Sequence, residues 1–123
     1  MTDGGRGSDP VLVTGASGFI GSAVVRTLVA ERREVRALVE PGRDDANLAG
    51  LDVQRIEGDI RDPGVLDRAV AGVSTVFHLA AIYRFWAADP ELFYDVNTGG
   101  TLNVIRAMEA AGSRRLEIGR AHV

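Results

Sequence analysis

Thr14-Gly15-Ala16-Ser17-Gly18-Phe19-Ile20-Gly21, entered from the apolar run Val11-Leu12-Val13, decides the fold of this chain. A short run with no polar residue reads as a strand buried on both faces. The segment after the turn, Gly18 to about Arg32, reads as an amphipathic helix. Ile20, Val24 and Leu28 recur at four-residue spacing, with Val25 and Val29 beside them. Between strand and helix the glycines at 15, 18 and 21 give the spacing G-x-x-G-x-x-G. Gly15 permits a tight turn. Gly18 has no Cβ, so a bulky diphosphate can approach the backbone. Gly21 lets the helix pack close to the strand. The helix start adds free N–H groups and the positive end of its dipole. An ordinary strand-turn-helix corner is the bland alternative. Strand, turn and helix in this order favour a dinucleotide phosphate-binding turn, with a spacing different from the G-x-G-x-x-G fingerprint.

Outward from this turn, strands and helices alternate. Glu34 to Glu40 reads as a second strand, ended by Pro41-Gly42. Arg43 to Gly50 reads as a polar loop with room for one helical turn. Val53 to Glu57 is a short third strand, closed by Gly58-Asp59. Asp62 caps a helix whose first position is Pro63, and Gly72 stops it. Thr75 to Leu79 is an apolar fourth strand. Ala80 to Ala88 is an aromatic-rich loop, and Asp89-Pro90 opens a helix that runs to about Ala111, with Gly112 after it. A fifth strand begins near Arg115. The alternation predicts an α/β fold, a Rossmann-type doubly wound parallel sheet truncated at the fifth strand, in the order 3-2-1-4-5.

Composition bounds the function. At 123 residues the chain is one domain at most, and its net charge of −3 makes neither nucleic acid nor an anionic membrane an obvious partner. No apolar stretch is long enough for a membrane span. Residues 1–10 lack an apolar core, so they read as a disordered leader rather than a signal peptide, which points to the cytoplasm. Cysteine is absent, which excludes disulfides and thiolate chemistry. His78 and His122 are far apart with no clustered acids, so no metal site is expected. All fourteen basic residues are arginine, so no step that needs a lysine ammonium can be run by this chain.

The stretch Glu117 to Val123, E-I-G-R-A-H-V, is too polar for the expected strand. It can be written as GAG ATC GGA AGA GCA CAC GTC with TGA as the next codon, which looks like a short-read sequencing adapter followed by its stop. A natural tail is the alternative. On the adapter reading, 11–116 is the biological part of a dinucleotide-binding domain and 117–123 is not native.

Four motifs in order carry a family resemblance. They are T-G-A-S-G-F-I-G, then Gly58-Asp59-Ile60, then His78-Leu79-Ala80-Ala81, then V-N-T-G-G-T-L-N from Val96 to Asn103. Together they resemble the extended short-chain dehydrogenase/reductases, the NAD(P)-dependent sugar epimerases, dehydratases and 4-reductases. The stretch Ala81 to Pro90 looks most like hopanoid-associated sugar epimerases, relatives of the dihydroflavonol 4-reductases. The resemblance implies a bound NAD or NADP, a sugar-like or polyol substrate for the longer parent protein, and a homodimeric parent. By position it implies that Gly15, Ser17, Gly18, Phe19, Ile20 and Gly21 line the diphosphate, and that Asp59 and Ile60 flank the adenine. Leu79, Ala80 and Ala81 would lie along ribose and diphosphate, and Asn97 would brace the sheet near the active site. Each has a plainer reading: Asp59 as a turn cap, His78 as a satisfied core residue. Tyr83, Phe85 and Trp86 serve as core packing or as a substrate lid.

The chain also departs from the family. Relatives commonly have glycine at the end of the first helix, where this chain has Arg33. They often carry arginine after the second strand to meet an NADP 2′-phosphate. Here Glu40 would repel a phosphate and accept from a ribose 2′-OH, which favours NAD. Arg36 and Arg43 keep NADP open, and the ribose-reading acid of some relatives falls one position earlier, at Val39. The family's Tyr-x-x-x-Lys pair is missing, since neither Tyr83 nor Tyr94 is followed by lysine. The expected function is therefore the cofactor-binding N-terminal portion of an epimerase, dehydratase or reductase, inactive alone and with no catalytic residue of its own. The alternative is a non-catalytic dinucleotide sensor.

Overall fold

The computed structural model describes residues 10–42, 44–79, 100–113 and 115–118. The leader, the aromatic loop and Asp89-Pro90 lie outside these, as do Arg43, Ala80, Ala81, Tyr83, Phe85, Trp86 and Asn97.

Five strands form one parallel sheet: β1 (Val11–Thr14), β2 (Val35–Val39), β3 (Gln54–Glu57), β4 (Thr75–His78) and β5 (Arg115–Ile118). Their order is β3-β2-β1-β4-β5, as the alternation predicts, and every pairing is parallel. Among the described residues three helices cover the sheet, α1 (Phe19–Ala30), α2 (Pro63–Val70) and α3 (Gly100–Ala111), with a 3-10 turn over Ala46–Leu48. Asp62 caps α2 by accepting from Gly64 N–H at 3.0 Å, with Pro63 in the first turn.

Period-two alternation divides the core between the two faces of the sheet. Leu12, Leu38 and Val76 face α2 and α3, packing on Leu66, Val70, Val104 and Met108. Val11, Val13, Val35, Ala37 and Val39 face α1 and the 3-10 turn, packing on Val25, Leu28 and Leu48. β1 is central and buried throughout, which is why its sequence carries no alternation.

Three local expectations are corrected. Val25 and Leu28 of α1 are buried and Val24 and Val29 pack against the same cluster, as the spacing predicts, whereas Ile20 is 40% exposed. β5 extends through Glu117 and Ile118, two residues into the stretch read as too polar. On this edge strand Leu116 packs on the core, while Arg115 Nε donates to Glu117 Oε2 at 2.7 Å on the strand's other side. Charge there costs no burial. Finally, the position at the end of α1 that favours glycine is Arg32, not Arg33.

Arg32 has φ 64°, the lone non-glycine residue with positive φ among the described residues. Its N–H donates to Val29 O at 2.9 Å and the Arg33 N–H to Leu28 O at 3.0 Å, the paired bonds of a Schellman ending. The end of α3 has the same pair, Gly112 N–H to Glu109 O and Ser113 N–H to Met108 O, with Gly112 at φ 79°. The two helices thus stop alike, one on glycine and one on a residue whose Cβ crowds the left-handed region. Arg32→Gly should stabilise the fold by about 1 kcal/mol, raising Tm by roughly 4 °C. A thermal melt that shows an unchanged or lower Tm contradicts this reading.

Candidate cofactor-binding site

The carboxyl ends of four adjacent strands bring the expected residues to one edge of the sheet. The glycine turn follows β1, Glu40 follows β2, Gly58 to Ile60 follow β3, and Leu79 follows β4. The chain leaves β1 toward β2 on one side, and β4 lies on the other. In an open α/β sheet this reversal of direction opens a crevice between neighbouring strand ends.

Within the turn the three glycines have separate causes. Gly15 has φ 66°, the tight turn that L side chains resist. At Gly21 a Cβ would lie 1.9 Å from the Gly15 carbonyl oxygen and 2.7 Å from its carbon. What Gly21 makes room for is the turn's own backbone, more than the strand. Among the described residues a Cβ at Gly18 would meet Gly15 O alone, at 3.4 Å, an ordinary contact, so none of them fills the space over Gly18. Gly18 is also the N-cap of α1, with no side-chain hydrogen bond to the first turn and no acidic residue in it. The first N–H groups of a helix lack intrahelical acceptors, so this end is built to receive an anion. Phe19, 86% exposed, and Ile20 stand beside it, while Ser17 is buried.

Thr14 and His78 join the ends of β1 and β4. Thr14 Oγ1 lies 2.7 Å from His78 Nδ1 and accepts from Leu79 N–H at 3.1 Å. Burial pushes the His78 imidazole down to about 4, so the ring is neutral at neutral pH and acts as a hydrogen-bonding core residue. This is the plainer of its two readings.

Asp59 is also committed within the chain. Its carboxylate takes Arg61 Nη2 at 2.7 Å, Arg61 Nε at 3.1 Å and the Arg61 backbone N–H at 2.8 Å. The hydrogen bond from Arg61 holds its carboxyl below the usual carboxylate range, against the opposing effect of burial. Ile60 is a core residue by its side chain, and its carbonyl accepts from Asn103 Nδ2 at 3.2 Å. Just before them, Gly58 is required by packing, since a Cβ would fall 2.3 Å from Val65 Cγ1 of α2.

Arg36, which kept NADP open, points away from this edge. Its Nη1 donates to Ala69 O at 2.6 Å and Ala71 O at 2.8 Å, and its Nε to Gln54 Oε1 at 3.2 Å. The guanidinium closes the C-terminal end of α2, which runs from Pro63 to Val70.

Three residues at this edge escaped the sequence reading. Thr14 and Asn103 are the bracing groups just described. Asn47 reaches from the 3-10 turn to donate from Nδ2 to Ser17 O at 2.9 Å. The pairing of Thr14 with His78 follows from in-register β1–β4 pairing, which strand order makes readable. Asn47 left no such signal.

The model of the NAD dependent epimerase/dehydratase family matches residues 11–119. The chain belongs to this family. A protein of Synechocystis sp. provisionally named dihydroflavonol 4-reductase is 37% identical over 108 residues, 88% of this chain and 31% of its own length. A short-chain dehydrogenase/reductase superfamily protein from Agrobacterium tumefaciens, solved with bound NAD, is 35% identical with a TM-score of 0.77, over 89% of this chain and 31% of that one. The UDP-glucose 4-epimerase from Bifidobacterium longum, solved with NAD+ and UDP, is 26% identical with a TM-score of 0.77, over 89% and 36%. The chain thus spans about a third of the length of these epimerase/dehydratase relatives. Among the described residues no helix is long and apolar enough to cross a membrane.

The geometry separates two glycines that sequence alone treats alike. Gly21→Ala should cost the fold about 1–3 kcal/mol, because the turn must yield to the new methyl. Gly18→Ala should fold like the parent and lose dinucleotide affinity. Denaturant melts and NAD titrations of both variants check this. A Gly18→Ala chain that binds NAD like the parent contradicts it.

Proposed function

We propose that this chain binds NAD along the carboxyl edge of its sheet, as the cofactor-binding part of a longer epimerase, dehydratase or reductase. Gly15, Ser17, Gly18 and the first-turn N–H groups of Phe19, Ile20 and Gly21 hold the diphosphate. Glu40 accepts from the adenosine ribose 2′-OH. Asp59 and Ile60 border the adenine through backbone and turn, their side chains being engaged by Arg61 and the core. Leu79, with Ala80 and Ala81 after it, follows the ribose and diphosphate, and Asn97 braces the sheet near the active site. The observation that carries this reading is a helix start without a side-chain cap, over a glycine whose Cβ position stays open among the described residues, with Glu40 at the neighbouring strand end.

When bound, the nicotinamide accepts or returns a hydride. This chain's own residues bind and orient it. The chain contains no lysine, so the tyrosine–lysine chemistry of the family must come from beyond these residues. The proposed substrate is a sugar nucleotide or a polyol, as the UDP bound by the Bifidobacterium epimerase suggests. The proposed setting is a cytoplasmic homodimer of the longer protein.

NAD preference over NADP is favoured by Glu40 and by the engagement of Arg36 at the end of α2. A carboxylate beside a 2′-phosphate is repulsive, and arginine there is attractive. Calorimetric titration of the chain should show NAD bound more tightly than NADP. Glu40→Arg should move the ratio toward NADP by about tenfold, the size of one favourable charge contact. An unchanged ratio removes Glu40 from the recognition of the ribose.

A further inference from the structure

Between Gly15 and Gly18 the turn contains one peptide bond whose two ends are both held. The Gly18 N–H donates to Gly15 O at 3.2 Å, inside the turn. The Ser17 carbonyl on the same peptide accepts from Asn47 Nδ2 at 2.9 Å, from outside it. The peptide is trans, so these groups point in opposite directions and together fix its plane. Without the amide of Asn47, no other donor among the described residues turns the Ser17 carbonyl oxygen away from the helix start.

Asn47 is itself well anchored. Leu48 next to it is fully buried under α1. Arg55 holds the same segment, donating from Nη2 to Leu48 O at 2.9 Å and pairing through Nε with Asp45 at 3.2 Å. Arg26 of α1 reaches the Asn47 carbonyl at 3.5 Å. This segment continues the chain a few residues after Glu40. Asn47 therefore ties the part of the chain that follows the ribose-facing residue to the turn that faces the diphosphate.

We propose that Asn47 is a positioning residue for the cofactor diphosphate, acting through the Ser17–Gly18 peptide without touching the cofactor. The proposal rests on the reading of this edge as the dinucleotide site. It predicts an effect specific to ligands that carry phosphate. Adenosine touches the β2 and β3 ends alone and should not sense the orientation of the turn.

The test uses the 123-residue chain, its Asn47→Ala variant and the isosteric Asn47→Asp variant, whose carboxylate cannot donate to Ser17 O. ADP-ribose is titrated by calorimetry and adenosine by amide chemical shifts. Thermal melts confirm that each variant folds. Asn47→Ala should weaken ADP-ribose about fivefold, the effect of one hydrogen bond, and Asn47→Asp at least as much. Adenosine affinity should be unchanged in Asn47→Ala, and the Gly18 amide resonance should shift in the absence of ligand. Wild-type affinity for ADP-ribose in both variants overturns the proposal. So does an equal loss for ADP-ribose and adenosine, which would mean that Asn47 merely holds its loop. Failure of the parent chain to bind ADP-ribose overturns the dinucleotide reading itself, and the proposal with it.

Discussion

Gly21 meets the Gly15 carbonyl with no room for a methyl group, and the rest of the site depends on that contact. A Cβ at 1.9 Å from an oxygen cannot be accommodated by a small adjustment. Hydrogen at this position lets the first turn of α1 descend onto the loop that leaves β1. The helix start is thereby aimed at the end of the central strand, with Gly18 as a cap that offers no side chain. The positive end of the helix dipole and the first-turn N–H groups then lie at the carboxyl edge of the sheet, beside the end of β1. A larger residue at 21 would lift the helix and redirect the donors.

The remainder of the structure holds this edge still. The sheet is buried on both faces by separate apolar clusters, so its strand ends keep a fixed register. Polar cross-links complete the edge where apolar packing runs out. Thr14 joins β1 to β4 through neutral His78 and Leu79 N–H. Asn103 ties α3 to the end of β3 through Ile60 O. Arg36 closes α2 from the far side of β2. Each is a side chain satisfied by backbone or by a buried partner, as polar groups near a core must be. Their combined effect is a rigid frame around backbone donors, suited to holding a dinucleotide that supplies the chemistry itself.

Much of this was legible in the sequence, for physical reasons. Five runs of apolar residues separated by helical periodicity leave few arrangements, and the handedness of parallel crossovers selects the order found. Asp62-Pro63 and Gly112 marked helix ends because capping chemistry is local. The tight turn at Gly15 follows from backbone rules. Val24, Val25 and Leu28 of α1 meet the core as their spacing predicts, while Ile20 at the helix start is exposed. The polarity of Glu117 argues against a strand, but an edge strand that turns Leu116 to the core tolerates an ion pair on its other side. The family resemblance puts the glycine position at Arg33, whereas the hydrogen bonds that end α1 place the left-handed residue at Arg32. Asp59 and Arg36 looked like ligand readers by position, and the structure engages both with internal partners. Asn47 was invisible because its bond to Ser17 spans thirty residues and belongs to no motif.

If the diphosphate of a dinucleotide sits on the start of α1, as proposed, adding NAD to the isotope-labelled chain should move the amide chemical shifts most from Ser17 to Gly21. Smaller shifts are expected at Glu40, Asp59 and Leu79, and none at Arg33 or Asp52 at the opposite end of the strands. Shifts concentrated at that opposite end, or a glycine turn left unmoved at saturation, would contradict it.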